Sequence, residues 1–322
     1  MCDMDTNIHR IAKVIQNYTN GQFGVLDCNH VKKWLSQFDN QEIVALETAN
    51  LLENYYVTNS DFENFIDEIH SYLYNNLSLN DDVYILETQN SSKSQNYLNT
   101  LLFQKYGSNY GNNYPMGNFV YMDDFLFSGH TLQKGLSTFL DNMRKHISSS
   151  SIIYILCINY NCFNIDKMIE KLKDEYSINI KIIPFFDKFN IALNETLRPT
   201  QDTLKGRRSF PNVRNYTNDN LSQYRFSPRI RENNNYIQET NRRIYESEMI
   251  NAGVKIINSC RDPHSVMKPL GYGWYGYGAG FTVFTQRNCP NTTPLAFWWG
   301  NPKADSHHPF SKWYPLMQRI QS

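Results

Sequence analysis

The chain has 322 residues, of which 41% are hydrophobic and 14% aromatic, so the composition excludes a chain too polar to bury a core. Lys plus Arg equals Asp plus Glu at 31 each, so net charge indicates no particular partner. The longest apolar run, residues 152–158, is far below the roughly 20 residues that span a bilayer, and the N-terminus lacks the pattern of a secretory signal. Six scattered cysteines without a CxxC pair favour reduced thiols, so we expect a cytoplasmic protein with no membrane partner.

Apolar residues at three- and four-residue spacing predict helices from residue 7 to about residue 79, and we interpret residues 1–79 as a helical cap. Short apolar runs separated by helical segments begin near residue 80. This alternation predicts an α/β core over residues 80–322, with a parallel sheet flanked by helices. The predicted strands are residues 83–86, 119–122, 152–158 and 180–185, and the predicted helices are residues 94–106, 131–146 and 165–176.

The segment 194–239 is polar, rich in arginine and without clear periodicity. A structureless segment this long usually forms a lid or a binding loop. It could also follow a nucleic-acid backbone, and the alternative is a solvated, disordered loop. After it we predict a helix from Thr240 to Ala252 that ends at Gly253, and a last strand from Phe281 to Thr285.

The most informative segment is residues 119–131, where an apolar strand leads into two adjacent acids, Asp123 and Asp124. Open α/β sheets bind ligands at the edge formed by the carboxyl ends of their strands. Ionised carboxylates only accept hydrogen bonds, so these acids would repel a phosphate and suit the hydroxyl groups of a ribose.

A short loop then leads to Gly129 and the predicted start of a helix. The first N–H groups of a helix and the positive end of its dipole attract anions, and a glycine lets the backbone approach closely. Ser128 and Thr131 add hydroxyl donors, so this segment predicts a phosphate site. The alternative is an Asp-Asp turn followed by a capped helix that binds no ligand.

A second polar loop, residues 87–95, follows the first core strand and opens a helix. Its small hydroxyl residues and Lys93 suit an anion at a helix N-terminus. The alternative is a polar loop in which Ser94 caps the helix.

The strand, the paired acids, the short loop and the sequence Ser-Gly-His-Thr together resemble the signature of phosphoribosyltransferases. The resemblance implies that Asp123 and Asp124 bind the 2′- and 3′-hydroxyls of phosphoribosyl pyrophosphate or a nucleotide. It implies Mg²⁺ held by the substrate, and we name no protein metal ligand. The residues that it places around the 5′-phosphate are Phe127, Ser128, Gly129, His130 and Thr131, and those at the pyrophosphate are Ser91, Ser92, Lys93 and Ser94. The bulky Phe125 and Phe127 depart from the usual pattern.

A narrower resemblance rests on the N-terminal helical region, on residues 92–95 and on residues 288–294. These features are similar to the phosphoribosyltransferase-like proteins of bacterial conflict and antiphage systems, some of them linked to retrons. The similarity implies a defence effector. We assign Asn288 and Asn291 to a base or a pyrophosphate, and the alternative is a Pro-Asn turn.

The leading functional hypothesis is a phosphoribosyl- or glycosyl-transferring or nucleotide-cleaving enzyme that works by positioning and electrostatics. One alternative is a catalytically inactive sensor of a nucleotide or a ribose phosphate. Another is a module that docks on a reverse transcriptase and its nucleic acid through the arginine-rich segment. The sequence leaves a homo-oligomer open.

Overall fold

A computed structural model of the chain describes residues 3–19, 24–77, 83–89, 93–107, 117–127, 129–144, 147, 150–160, 162–185, 239–273, 278, 280 and 283–319. The helices are α1 (Met4–Ile15), α2 (Cys28–Leu35), α3 (Gln41–Tyr55), α4 (Asn59–Leu77), α5 (Ser94–Tyr106), α6 (His130–Met143), α7 (Cys162–Tyr176), α8 (Glu239–Asn258) and α9 (Leu295–Trp298). The strands are β1 (Tyr56–Val57), β2 (Val83–Ile85), β3 (Asn118–Leu126), β4 (Ile152–Tyr160), β5 (Asn179–Pro184) and β6 (Phe284–Thr285). A short 3₁₀ helix covers Pro309–Lys312.

The chain forms two compact units. The split unit combines residues 1–59 with residues 204–322, and the sheet unit contains residues 60–203. Contacts therefore group α1, α2 and α3 with the C-terminal segment, and the two units meet along the chain near residue 59. The assignment of residues 1–79 to a helical cap stays a prediction.

The sheet unit contains a four-stranded parallel sheet in the order β2-β3-β4-β5. Helices α5, α6 and α7 each connect one strand to the next, as parallel pairing requires. The apolar runs predicted this arrangement, and the α/β class with a parallel sheet flanked by helices is confirmed. The core of this unit is formed by apolar residues of β3, β4, α6 and α7, among them Phe119, Tyr121, Leu136, Ile155 and Leu172.

The central strands are longer than the sequence predicts. β3 continues past Met122 to Leu126, because Phe125 and Leu126 pair with Asn159 and Tyr160 of β4. The acid pair therefore lies inside the strand and not in a loop after it.

The prediction that Gly253 ends a helix is wrong, because α8 continues through it to Asn258. A Cβ at Gly253 would lie 2.4 Å from the Cα of Pro269, so the glycine allows two backbone segments to pack closely. The expected lid or loop at residues 194–239 lies outside the described residues except for Glu239, the first residue of α8.

The split unit joins distant parts of the chain. β1 pairs in parallel with β6, a pairing that places Tyr56 opposite Phe284. Trp34 is fully buried, and its indole N–H donates to the carbonyl oxygen of Ala296 at 2.8 Å. The predicted N-terminal helices thus bury their apolar faces against residues near the other end of the sequence.

In the described part of the chain, no helix is both long enough and apolar enough to cross a membrane.

Candidate functional site

The two adjacent acids lie in the second half of β3, where the strand gives them different surroundings. Side chains alternate between the faces of a strand, so Asp123 shares a face with Tyr121 and Asp124 points to the other face. Asp123 is 6% exposed, whereas Asp124 is only half-buried. The expectation that both carboxylates bind one ribose stays a prediction, but the two acids are not equivalent in this structure.

Asp123 is held by donors of the chain itself. Its Oδ2 accepts hydrogen bonds from Gln89 Nε2 and from the Tyr121 hydroxyl, each at 3.0 Å, and its Oδ1 accepts one from the backbone N–H of Asp124 at 3.0 Å. The Ser94 side chain also hydrogen-bonds to this carboxyl. An ionised carboxylate has about four acceptor positions, so these donors occupy most of its capacity.

The pKa of Asp123 is raised to about 7. Burial is the largest cause, because it removes water from the charged form, and the negative charge of Asp124 is the second. Hydrogen bonds from Ser94, Gln89 and Tyr121 favour the charged form and partly oppose the rise. Across the sheet, burial and then the charges of the two acids raise the pKa of Cys157, the β4 residue paired with Asp123. Near neutral pH a fraction of Asp123 therefore keeps its proton.

Asp124 keeps more of its hydrogen-bonding capacity. In the part of the chain that the structure describes, its side chain accepts one hydrogen bond, from the backbone N–H of Phe125 at 2.7 Å. The remaining acceptor positions of this half-buried carboxylate can take the hydroxyl groups of a ligand.

Gln89 reaches Asp123 from the loop after β2, and α5 fixes the path of that loop. Gln95 of α5 is 1% exposed, and its Oε1 accepts hydrogen bonds from the backbone N–H groups of Thr88 at 2.7 Å and Gln89 at 2.9 Å. Thr88 also packs against Gly135 of α6, where a Cβ would lie 2.6 Å from Thr88 Oγ1. The loop after β2 is thus fixed by contacts with α5 and α6, and these contacts place the Gln89 amide within hydrogen-bonding distance of Asp123.

The residues predicted at the pyrophosphate lie partly in this region. Lys93 is the N-cap of α5 and makes no side-chain capping bond, so the alternative in which Ser94 caps the helix is wrong. Ser94 is instead the first helical residue, half-buried, with its side chain hydrogen-bonded to Asp123. Ser91 and Ser92 lie outside the described residues. The structure therefore brings Ser94 to the acid pair.

The predicted phosphate loop ends at the N-terminus of α6. Gly129 is the N-cap, with φ of 73° and ψ of −5°, a left-handed conformation that favours glycine. Among the residues that the structure describes, no side chain caps this helix end. His130 and Thr131, the first two helical residues, are exposed, and Ser128 lies outside the described residues.

Gly129 and Phe127 also have structural roles. A Cβ at Gly129 would lie 2.8 Å from Ile165 Cδ1 of α7, so packing favours glycine here even without a ligand. The ring of Phe127 stacks parallel to that of Phe125, with centroids 5.7 Å apart. The two bulky residues that depart from the usual signature therefore pair with each other.

Asn288 and Asn291 lie in the split unit, next to β6 and both half-buried. The backbone N–H of Asn288 donates to Thr285 Oγ1 at 2.9 Å, and Thr285 Oγ1 donates to the carbonyl oxygen of Asn288 at 2.9 Å. The carbonyl oxygen of Asn291 accepts a hydrogen bond from the N–H of Tyr272 at 2.7 Å. These backbone contacts describe a closed turn, and the assignment of the two amide side chains to a ligand stays a prediction.

Comparison with models of protein families matches residues 31–319 to PRTase-CE. The chain belongs to the PRTase-CE family. The match includes β3, the N-terminus of α6 and the turn after β6. It supports phosphoribosyltransferase-like function, as the family name says. Comparisons with curated proteins and with solved structures gave no match.

Sequence reasoning missed Tyr121 at this candidate site, and it included Gln89 in the polar loop at residues 87–95 without predicting its bond to Asp123. Tyr121 lies two residues before Asp123 in a strand, so the alternation of side chains could have identified it. No sequence pattern indicates that Gln89 contacts Asp123, because this contact depends on how the loop after β2 crosses the end of β3. The described residues of this PRTase-CE chain contain no group of three His, Cys, Asp or Glu side chains that could hold a metal ion.

Proposed function

We propose that this chain is a phosphoribosyltransferase-like enzyme that acts on phosphoribosyl pyrophosphate or on a nucleotide. The observation that carries the proposal is the placement of two acids near the end of β3, whose last residue, Leu126, stands three positions before Gly129, the left-handed N-cap of α6. In this arrangement acceptors and donors are segregated along the chain. Acceptors suit the hydroxyls of a ribose, and the backbone N–H groups of α6 suit its 5′-phosphate.

The chemistry of such a site needs positioning more than proton transfer. When the bond between the anomeric carbon and the leaving group breaks, positive charge develops on the ribose and negative charge on the departing pyrophosphate. The carboxylate of Asp124 would stabilise the first, and the ammonium group of Lys93 the second. Two carboxylates are too few to form a closed Mg²⁺ site, so Mg²⁺ would arrive with the pyrophosphate of the substrate and shield its charge.

A binding module without turnover is the second candidate. It is favoured by the engagement of Asp123, whose acceptor positions are largely occupied by Gln89, Tyr121 and the backbone of the chain. Such a protein would sense a nucleotide or a ribose phosphate. The similarity of residues 92–95 and 288–294 to proteins of antiphage systems supports a defence role for either activity. A third arrangement, docking on a reverse transcriptase and its nucleic acid, is supported by the arginines of residues 194–239.

The deciding experiment incubates the full chain with phosphoribosyl pyrophosphate, NAD or nucleotides in the presence of Mg²⁺. Release of pyrophosphate or free base, abolished in Asp124→Asn and retained in the exposed control Asp174→Asn, supports the enzyme. Saturable binding without release supports the sensor. If the wild-type chain neither binds nor converts any of these compounds, the proposed function is wrong.

The docking alternative has a separate test, which is retention of the chain on nucleic acid across a range of salt concentrations. Phosphate contacts make such binding weaken steeply with salt, and neutralising the arginines of residues 194–239 would remove that dependence. A defence role is tested by phage plating on cells that express the wild type or Asp124→Asn.

A further inference from the structure

Asp123 and Asp124 differ in a way that the paired-acid signature does not show. Adjacent residues of a strand point to opposite faces, and β3 keeps the same register with β4 on either side of Asp124, from Asp123 opposite Cys157 to Phe125 opposite Asn159. The two carboxylates therefore leave the strand in different directions and have different surroundings.

The donors around Asp123 come from separate segments of the sheet unit. Gln89 lies in the loop after β2, Tyr121 lies on β3, and Ser94 opens α5. A buried carboxylate that accepts hydrogen bonds from three segments fixes their mutual positions, and removing it would take an acceptor from each of them, although Gln89 would keep its bond to the Tyr121 hydroxyl. Asp123 therefore has the contacts of a residue that organises the loop after β2.

Among the described residues of this cluster, Gln89 is the only one of these donors whose backbone N–H is itself hydrogen-bonded to another side chain. Its N–H donates to Gln95 Oε1 at 2.9 Å, while its amide group donates to Asp123 at 3.0 Å. A continuous series of hydrogen bonds thus runs from α5 through the loop to β3. The loop in question is the one to which the proposed function assigns the pyrophosphate.

We propose that Asp123 is a positioning residue, which holds the loop after β2 through Gln89, and that Asp124 is the acid that contacts the ribose hydroxyls of the ligand. This inference rests on the proposed function for the identity of the ligand. It assigns different roles to two acids that the sequence presents as an equivalent pair.

The test measures two quantities for each variant: the midpoint of thermal unfolding without ligand, and the Kd for phosphoribosyl pyrophosphate with Mg²⁺ by calorimetry. Asp124→Asn should weaken binding by about tenfold to a hundredfold, because it removes a charged acceptor, with an unchanged midpoint. At a pH below the pKa of Asp123, Asp123→Asn should lower the midpoint by several degrees and weaken binding less than Asp124→Asn does. Asp174→Asn, an exposed change of the same kind on α7, should alter neither quantity.

Two further variants separate a specific hydrogen bond from a general loss of packing. Gln89→Glu places a second carboxyl beside Asp123, so binding should be near the wild-type value at acidic pH, where the two carboxyls share a proton, and weak at alkaline pH. The exposed control Gln104→Glu on α5 should show no such pH profile. In the exchange variant Asp123→Asn/Gln89→Glu, the amide and the carboxylate trade places, which should restore much of the unfolding midpoint and of the binding lost in Asp123→Asn.

The inference is overturned if Asp123→Asn and Asp124→Asn weaken binding equally at an unchanged unfolding midpoint, because both acids then contact the ligand. It is also overturned if the exchange variant recovers nothing. Failure of the wild type to bind gives a different result: it removes the proposed function and the ligand role of Asp124 with it. The midpoints of the unliganded variants still decide whether Gln89 and Asp123 are coupled.

Discussion

The loop after β2 in the sheet unit and the turn at residues 285–293 in the split unit are both rich in polar side chains, but different kinds of side chain hold them. In the first, the amide groups of Gln89 and Gln95 bond to other segments and connect the loop to β3 and α5. In the second, the hydroxyl of Thr285 closes the turn on Asn288, while the Gln286 side chain and the backbone of Cys289 bond to residues far along the chain. Polar groups therefore connect distant segments in both regions, and hydroxyl side chains add local closure in the turn.

The largest expected effect compares two glycines, Gly135, which packs against the loop after β2, and Gly271, which packs against the turn at residues 285–293. Gly271 has φ of 98°, and a Cβ there would lie 2.3 Å from the carbonyl oxygen of Thr293, so Gly271→Ala should cost roughly 2–5 kcal/mol of unfolding free energy. Gly135→Ala should cost less than half of that, since its Cβ meets the side chain of Thr88 and alanine favours the helix. Denaturant unfolding measures both. Gly24→Ala, with no neighbouring atom within 4 Å, is the control, and a larger cost at Gly135 would contradict the contrast.

The second effect is a dependence of stability on pH that arises from Asp123. Its folded pKa of about 7 lies above the value of about 3.9 in an unfolded chain, so between these values the folded state keeps a proton that the unfolded state loses. The free energy of unfolding should therefore fall as pH rises through this window, by roughly 2–4 kcal/mol in total.

Chemical denaturation of the wild type and of Asp123→Asn at a series of pH values isolates this contribution, because all other titratable groups are the same in the two proteins. Tyr121→Phe should extend the window to higher pH, since it removes a hydrogen bond that favours the ionised form. Identical pH profiles for the wild type and Asp123→Asn would show that the acid titrates normally.

A third effect follows from removing the donor that crosses from the loop to β3. Gln89→Ala removes the amide that donates to the buried carboxylate of Asp123 and to the Tyr121 hydroxyl, and it should cost about 1–3 kcal/mol of unfolding free energy. The exposed control Gln104→Ala should change stability by well under that amount. An equal effect at both positions would mean that Gln89 does not connect the loop to Asp123.

The smallest effect is expected in the self-closing turn. Thr293 is fully buried, and its hydroxyl bonds to the carbonyl oxygen of Pro290 and to Cys289 Sγ, so Thr293→Val should cost about 1 kcal/mol by removing these neutral hydrogen bonds while keeping the side-chain volume. Thr138→Val on the exposed face of α6 is the matched control. A cost well above that of Gln89→Ala would reverse the contrast between the two regions.

Much of the fold could be predicted because it depends on local apolar spacing. Helix α5 begins and ends where the sequence predicts, at Ser94 and Tyr106, and the strands of the parallel sheet follow the apolar runs. The end of β3 could not be predicted, because it is set by pairing with Asn159 and Tyr160 of β4 rather than by its own sequence. The wrong prediction of a helix end at Gly253 has a similar reason, since the glycine is needed there for the close approach of Pro269, which lies beyond the end of the helix.

For the candidate site, the sequence identified which residues are polar near the sheet edge but not which of them bond to each other. Asp123 and Asp124 are neighbours of the same type, and their difference in burial follows from strand alternation combined with the position of Gln89. That position depends on a loop held by Gln95, which no spacing rule indicates.

The split unit also constrains the order in which the protein can form. The Tyr18 hydroxyl donates to the carbonyl oxygen of Gln318, and these partners are 300 residues apart along the chain. At ribosomal rates of about 5–20 residues per second, Tyr18 waits on the order of 15–60 seconds for its partner, while residues 60–203 are already complete. Helix α1 packs against α2 and α3, which emerge soon after it, but the side of α2 that carries Trp34 stays uncovered until Ala296 and Phe297 emerge, and a chaperone can bind it in that interval.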